Sequence, residues 1–257
     1  MNAMLQVEGV SKHFGGLKAL DDCTLNVEQG SITALIGPNG SGKTTLFNVI
    51  TGFLKATNGR VLFEGREITS LPEHRIANLG IARTFQVSSL FPKLTVWENL
   101  LVAYPDQEGE SLWSVFTRYG SIRAQEEQQM ARAYRSLERI GLTQKMEERA
   151  ANLSAPEARM LEIGRQLMFS PRLVLLDEPS SGVNPAMLDR LADRIIELNK
   201  EGPLPLTFFI IGHNLSFIMK LSHYIHVLHY GKLITSGPPK TVAQDERVIE
   251  AYLGVHR

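Results

Sequence analysis

The chain has 257 residues, with 27 Lys plus Arg against 27 Asp plus Glu, and is 43% hydrophobic and 21% charged. That composition excludes a disordered or fibrous protein, and the charge balance lacks the basic excess of a non-specific nucleic-acid binder. Cys23 is the single cysteine, so no internal disulfide framework is possible, as suits a reducing compartment. No apolar run approaches the ~20 residues of a membrane helix. Residues 1–10 lack the basic and apolar regions of a secretory signal, so any membrane role is expected to come through a partner.

Residues 5–28 read as hairpin strands, with Leu5-Gln6-Val7 and Leu25-Asn26-Val27 alternating on either side of Gly15-Gly16. Three later runs are continuously apolar: Thr33-Ala34-Leu35-Ile36, Leu173-Val174-Leu175-Leu176 and Thr207-Phe208-Phe209-Ile210-Ile211. Strands covered on both faces of a parallel sheet read this way. Each run ends at a turn signal, Gly37-Pro38-Asn39-Gly40, Asp177-Glu178-Pro179 or Gly212-His213-Asn214. Ligands of open α/β sheets bind beyond the carboxyl ends of the strands, so these turns are candidates for one site. Between the first and second runs the pattern becomes helical. Thr95-Val96-Trp97-Glu98 forms a capping box. Met130, Tyr134, Leu137 and Ile140 are expected on the buried face of a helix that stops at Gly141. Leu112, Trp113, Val115 and Phe116 read as packing within this helical region, with a partner-facing patch as the alternative.

Gly37-Pro38-Asn39-Gly40-Ser41-Gly42-Lys43-Thr44 fits the phosphate-binding P-loop. Glycines let backbone amides converge on phosphate, Lys43 adds charge at the β- and γ-phosphates, and the Thr44 hydroxyl can ligate Mg²⁺. A helix starting near Lys43 turns its positive end toward the anion. Asp177 after a buried strand can hold the Mg²⁺ shell, and Glu178 can deprotonate the attacking water.

The motif order resembles the nucleotide-binding subunits of ABC transporters over nearly the whole chain. The resemblance implies an α/β P-loop NTPase fold: a RecA-like parallel sheet, an N-terminal antiparallel β subdomain and an inserted helical subdomain. Residues 1–88 and 160–235 would form the nucleotide-binding core. Residues 89–159 would form the helical subdomain with the signature segment, and 236–257 a C-terminal helical extension. Phe14 would stack on adenine, and Gly37, Pro38, Asn39, Gly40, Ser41, Gly42, Lys43, Thr44 and Thr45 would hold the phosphates. Gln86, in Arg83-Thr84-Phe85-Gln86, takes the place of the Q-loop glutamine, which reaches Mg²⁺ together with Thr44 and Asp177. Ser180 to Pro185 stand in the place of the D-loop. Glu178 and His213 would be catalytic, His213 as the switch histidine at the γ-phosphate. Within the family, Phe14-Gly15-Gly16-Leu17-Lys18-Ala19-Leu20, Ile81 to Gln86 and Arg247 to Gly254 are most similar to the ATPases of branched-chain amino acid importers. Urea/amide-uptake and lipopolysaccharide-export ATPases share some of these segments.

One segment departs from the family. Where the signature reads Leu-Ser-Gly-Gly-Gln, this chain has Leu153-Ser154-Ala155-Pro156-Glu157. Ser154 and Glu157 can still cap a helix, but Pro156 has no N–H and Ala155 adds a Cβ. In the family this segment contacts ATP held by the opposite chain, so Ser154, Ala155, Pro156 and Glu157 would form a weakened half-site. The reading is an ATPase subunit using ATP and Mg²⁺ to energise an importer at the cytoplasmic face of the cell membrane. It would form a heterodimer with a second ABC ATPase, beside two transmembrane permease subunits and a solute-binding protein, without nucleic acid. The alternatives are an ABC ATPase of another system (urea/amide uptake or lipopolysaccharide export), a non-transport ABC ATPase such as one acting on nucleic acid, and a regulatory nucleotide-binding subunit that does not turn over.

Overall fold

A computed structural model describes residues 3–84, 90–104, 119–201 and 205–253. The strands are β1 (Ala3–Phe14), β2 (Leu17–Glu28), β3 (Ile32–Ile36), β4 (Asn58–Phe63), β5 (Arg66–Glu67), β6 (Ile81–Arg83), β7 (Leu173–Asp177), β8 (Thr207–Ile211), β9 (Tyr224–His229) and β10 (Lys232–Gly237). The helices are α1 (Lys43–Ile50), α2 (Glu73–Asn78), α3 (Val96–Leu101), α4 (Tyr119–Arg139), α5 (Ala155–Leu167), α6 (Pro185–Lys200), α7 (Leu215–Leu221), α8 (Pro239–Ala243) and α9 (Glu246–Leu253). The chain divides into two compact units, one of Met1–Gln86, Arg172–Ser181 and Leu188–Arg257, the other of Val87–Pro171 and Gly182–Met187.

The first unit carries two sheets. The expected hairpin is present: β1 pairs antiparallel with β2 and β4 in a sheet of order β2-β1-β4-β5. The second sheet has the order β10-β9-β3-β8-β7-β6. In it β3, β8, β7, β6 and β9 run parallel, and β10 returns antiparallel on β9. Every residue of β3, β7 and β8 is buried, which is why these segments lack polar alternation. Leu46, Phe47, Val49 and Ile50 of α1 are buried, and the Phe47 ring meets that of Phe209 at 5.0 Å. Truncating such a ring typically costs ~3–5 kcal/mol. Burial pushes the Cys23 thiol up to about 12, so it packs as a small apolar group and is unreactive.

The second unit is helical. The capping box at α3 forms as expected, with Glu98 N–H donating to Thr95 Oγ1 at 3.1 Å and Thr95 N–H to Glu98 Oε2 at 2.8 Å. The buried face of α4 differs from the expected one. Leu137 and Ile140 are buried, but Met130 and Tyr134 are exposed, and Ala133 and Ser136 take their place inside. Close approach to α5 explains the rotation. Ser136 Oγ donates to Gly164 O at 2.8 Å, and a Cβ on Gly164 would meet Ile140 Cδ1 at 2.7 Å. Only small side chains fit where two helices come this near, and a hydrophobic periodicity does not register them. Gly141 ends the helix at φ 70°, with Leu142 N–H reaching Leu137 O. Leu112, Trp113, Val115 and Phe116 lie outside the described residues.

Candidate functional site

The P-loop joins β3 to α1. Two of its glycines are required by close neighbours: a Cβ on Gly37 would meet Leu228 O at 2.0 Å, and one on Gly42, at φ 106°, would meet Ala19 O at 2.4 Å. Any larger residue would push the loop off the sheet. Lys43 opens α1 and is buried; its Nζ donates to Gly37 O at 2.8 Å and Pro38 O at 2.9 Å. Burial lowers the pKa of this ammonium, while Glu178 and Asp177 pull it the other way. Both carboxylates therefore act on the Lys43 charge. Around it Gly37 and Ser41 are buried, Pro38 and Thr45 half-buried, and Asn39, Gly40 and Thr44 exposed.

The three turns singled out from the sequence stand side by side, because β3, β8 and β7 are neighbours in one parallel sheet. Asp177 is the last residue of β7 and is buried. Glu178 follows in the left-handed region at φ 51°, and its N–H donates to Ile211 O at 2.9 Å. A non-glycine residue held there costs on the order of 1–3 kcal/mol, a strain that collects at functional sites. It turns the Glu178 side chain toward the loop after β8, where His213 Nδ1 stands 3.3 Å from Glu178 Oε1. Thus Lys43, Asp177, Glu178 and His213, far apart in sequence, share one end of the sheet.

Two residues that the sequence reading left without a role complete this corner. Arg83 Nη2 donates to Asp177 Oδ2 at 2.8 Å, and Thr84 Oγ1 accepts from Asp177 N–H at 3.3 Å. Their only signal was a charged and a hydroxyl side chain at the end of a short apolar strand. Phe14 is exposed at the end of β1, with Lys12 Nζ 5.1 Å from its ring centroid. Gln86 lies outside the described residues.

In the second unit Ser154 precedes α5, with Ala155 exposed and Pro156 buried in its first turn. Glu157 reaches back over the helix start: Oε2 accepts from Ser154 N–H at 2.9 Å, Ser154 Oγ at 2.8 Å and Lys145 Nζ at 3.1 Å. Burial opposes its ionisation, but the Ser154 and Lys145 hydrogen bonds outweigh it and hold the carboxyl below its usual range.

The site's oxygen donors suit Mg²⁺. Among the described residues no group of three His, Cys, Asp or Glu side chains forms a metal cage. Mg²⁺ needs none where one carboxylate, a hydroxyl and substrate phosphates supply its shell. Asp177 and Thr44 are groups of that kind.

The family comparisons agree with this geometry. Residues 20–181 match the ABC transporter family, and residues 232–257 match the branched-chain amino acid ATP-binding cassette transporter family. The chain is 41% identical to a probable branched-chain amino acid transport ATP-binding protein LivG of Archaeoglobus fulgidus, covering 98% of this chain and 95% of that one. It is 39% identical to the high-affinity LivG of Escherichia coli K12, over 98% of each. Among solved structures, a nucleotide-free ATP-binding cassette from an ABC transporter superposes with a TM-score of 0.84 at 36% identity, covering 100% of both chains. The ADP conformation of such a cassette gives 0.83 at 35% identity, over 99% of this chain and 100% of that one. The chain belongs to the ATP-binding cassette family of ABC transporter ATPases.

Proposed function

We propose that this ATPase energises an importer of branched-chain amino acids or related small polar solutes. It would work at the cytoplasmic face of the cell membrane with a second ATPase, two permease subunits and a solute-binding protein. The observation that carries the catalytic part is the convergence of Lys43, Asp177, Glu178 and His213 at adjacent ends of β3, β7 and β8. The solute class rests on the relatives' names and on the family match at residues 232–257. Among the described residues no helix is long and apolar enough to cross a membrane.

In this reading the P-loop, residues 37–45, holds the phosphates and Phe14 stacks on adenine. Lys43 exchanges its contacts with Gly37 O and Pro38 O for the β- and γ-phosphates. Mg²⁺, held by Thr44, Asp177 and Gln86, would neutralise charge between the phosphates. Glu178 takes a proton from the attacking water, and His213 orients Glu178 and meets the γ-phosphate. Residues 89–159 form the helical subdomain facing the permeases, and 236–257 the C-terminal extension.

The two ATP sites of the dimer would be unequal. Pro156 lacks an N–H, Ala155 carries a Cβ, and an ionised Glu157 already uses Ser154 N–H and Oγ. The signature segment thus presents its own anion where a partner's γ-phosphate would sit. A homodimer would carry this defect twice. A heterodimer carries it once and leaves this chain's P-loop opposite an intact signature.

Reconstitution tests the solute assignment. The complete complex in proteoliposomes should take up labelled leucine on addition of ATP, and K43A should abolish that uptake. Uptake of urea or of no amino acid by an active complex would overturn the assignment.

A further inference from the structure

Arg83 closes β6 with a side chain only 7% exposed. Arginine is almost never buried to that extent unless it is paired. Besides donating to Asp177 Oδ2 at 2.8 Å, its guanidinium donates to Asn48 Oδ1 at 2.6 Å and Thr51 Oγ1 at 3.3 Å. The Phe47 and Phe53 rings flank it, at 5.7 and 5.9 Å from Cζ. Asn48 and Thr51 sit in and just after α1, the helix that begins at Lys43. One side chain thus ties the P-loop helix to the carboxylate at the end of β7.

Stability alone does not account for such a pair. A buried ion pair adds little over packed apolar side chains, because desolvation offsets its Coulomb attraction. The planar fork of a guanidinium offers something else: donors in fixed directions toward partners on two different elements. A carboxylate held through one oxygen cannot swing freely, so its presentation to a metal shell is set before the nucleotide arrives.

We propose that Arg83 is a positioning residue that orients Asp177, anchored by Asn48, and so sets how readily the site takes up Mg²⁺ with ATP. This rests on the reading of Asp177 as a metal-holding residue. Groups that hydrogen-bond a metal's ligands typically govern ~10- to 100-fold in metal affinity. Charge by itself predicts the opposite sign, because removing a cation beside the carboxylate would tighten the metal. The two accounts therefore separate cleanly.

The test is binding of a fluorescent ATP analogue to the full chain, titrated with Mg²⁺ from an EDTA-treated start. R83M should leave the metal-free analogue affinity in place and raise the Mg²⁺ concentration at half-effect about tenfold. R83K, which keeps charge but loses the fork, and N48A, which loosens the anchor, should give smaller shifts of the same sign and carry the test if R83M does not fold. Unchanged or tighter Mg²⁺ dependence in these variants overturns the proposal, as does an equal loss with and without metal. D177N is the reference. If D177N leaves the Mg²⁺ dependence unmoved, the reading of Asp177 itself fails. If D177N shifts it and the Arg83 and Asn48 variants do not, only the role of Arg83 fails.

Discussion

His213 Nδ1 and Glu178 Oε1 stand 3.3 Å apart although the two residues follow different strands. Glu178 gains that position from a left-handed backbone at φ 51°, anchored by its N–H on Ile211 O at 2.9 Å. His213 lies two residues beyond Ile211, so the strand that anchors the base also delivers the histidine. Any movement of the β8 end relative to β7 changes both the base and its partner.

Lys43 is the first point of test. Its Nζ is held by Gly37 O and Pro38 O at 2.8 and 2.9 Å, inside the loop that a phosphate would fill. Lys43→Ala removes a charge-assisted contact worth ~1.5–3 kcal/mol, so ATP affinity should fall about tenfold or more. Equilibrium binding of a labelled nucleotide measures this. Undiminished affinity would contradict the P-loop assignment.

The start of α5 gives a second prediction. Replacing Ala155 and Pro156 with glycine restores a donor and removes a Cβ, yet Glu157 still occupies Ser154 through bonds of 2.8 and 2.9 Å. One hydrogen bond to a charged group is worth ~1.5–3 kcal/mol, about 10- to 100-fold in closure or rate. The double glycine variant should therefore gain little ATPase in the assembled complex until Glu157→Gln is added. Full activation by the glycines alone would show that Glu157 does not repel the phosphate.

Acid should weaken the fold in a defined window. His226 Nε2 donates to Asn26 O at 2.9 Å, and since a carbonyl only accepts, Nδ1 takes the Ser236 hydroxyl at 2.8 Å. Burial holds this imidazole below 6.5, against the pull of the Asn26 carbonyl. Burial, and then Lys200, lower His223 as well; its Nδ1 accepts the Ile32 N–H at 3.0 Å. With folded values depressed, the unfolded chain binds protons first. The contribution is complete above 6.5 and is lost as pH falls through the lower folded values. Calorimetry should show Tm dropping between about pH 7 and pH 5, with a shallower slope in His226→Gln. An identical slope in that variant would remove His226 from the account.

Much of this was legible in the sequence for local reasons. The runs ending at Ile36, Leu176 and Ile211 mark fully buried strands because burial on both faces leaves no polar alternation. Thr95 and Glu98 cap their helix within four residues, so no distant part of the fold was needed to predict them. The exposed Met130 and Tyr134 show where local reading stops. The phase of α4 is set by Ser136 against Gly164, a contact 28 residues apart that favours small side chains over apolar ones. Arg83 was opaque for the same reason. Its meaning lies in Asp177, 94 residues on, and in Asn48, 35 residues back. Glu157 was legible as a cap through Ser154, but its contact with Lys145 Nζ at 3.1 Å, twelve residues upstream, was not.

In the proposed heterodimer, hydrolysis is carried mainly by this chain's own Lys43, Glu178 and His213. This is tested most directly by comparing two assembled complexes, one with Glu178→Gln in this chain and one with the matching change in the partner ATPase. Glu178→Gln keeps the shape of the site and removes its base. Steady-state ATPase should nearly vanish in the first complex, with ATP still bound, and fall only mildly in the second. Equal losses in the two complexes, or brisk cooperative hydrolysis by this chain alone, would contradict the account.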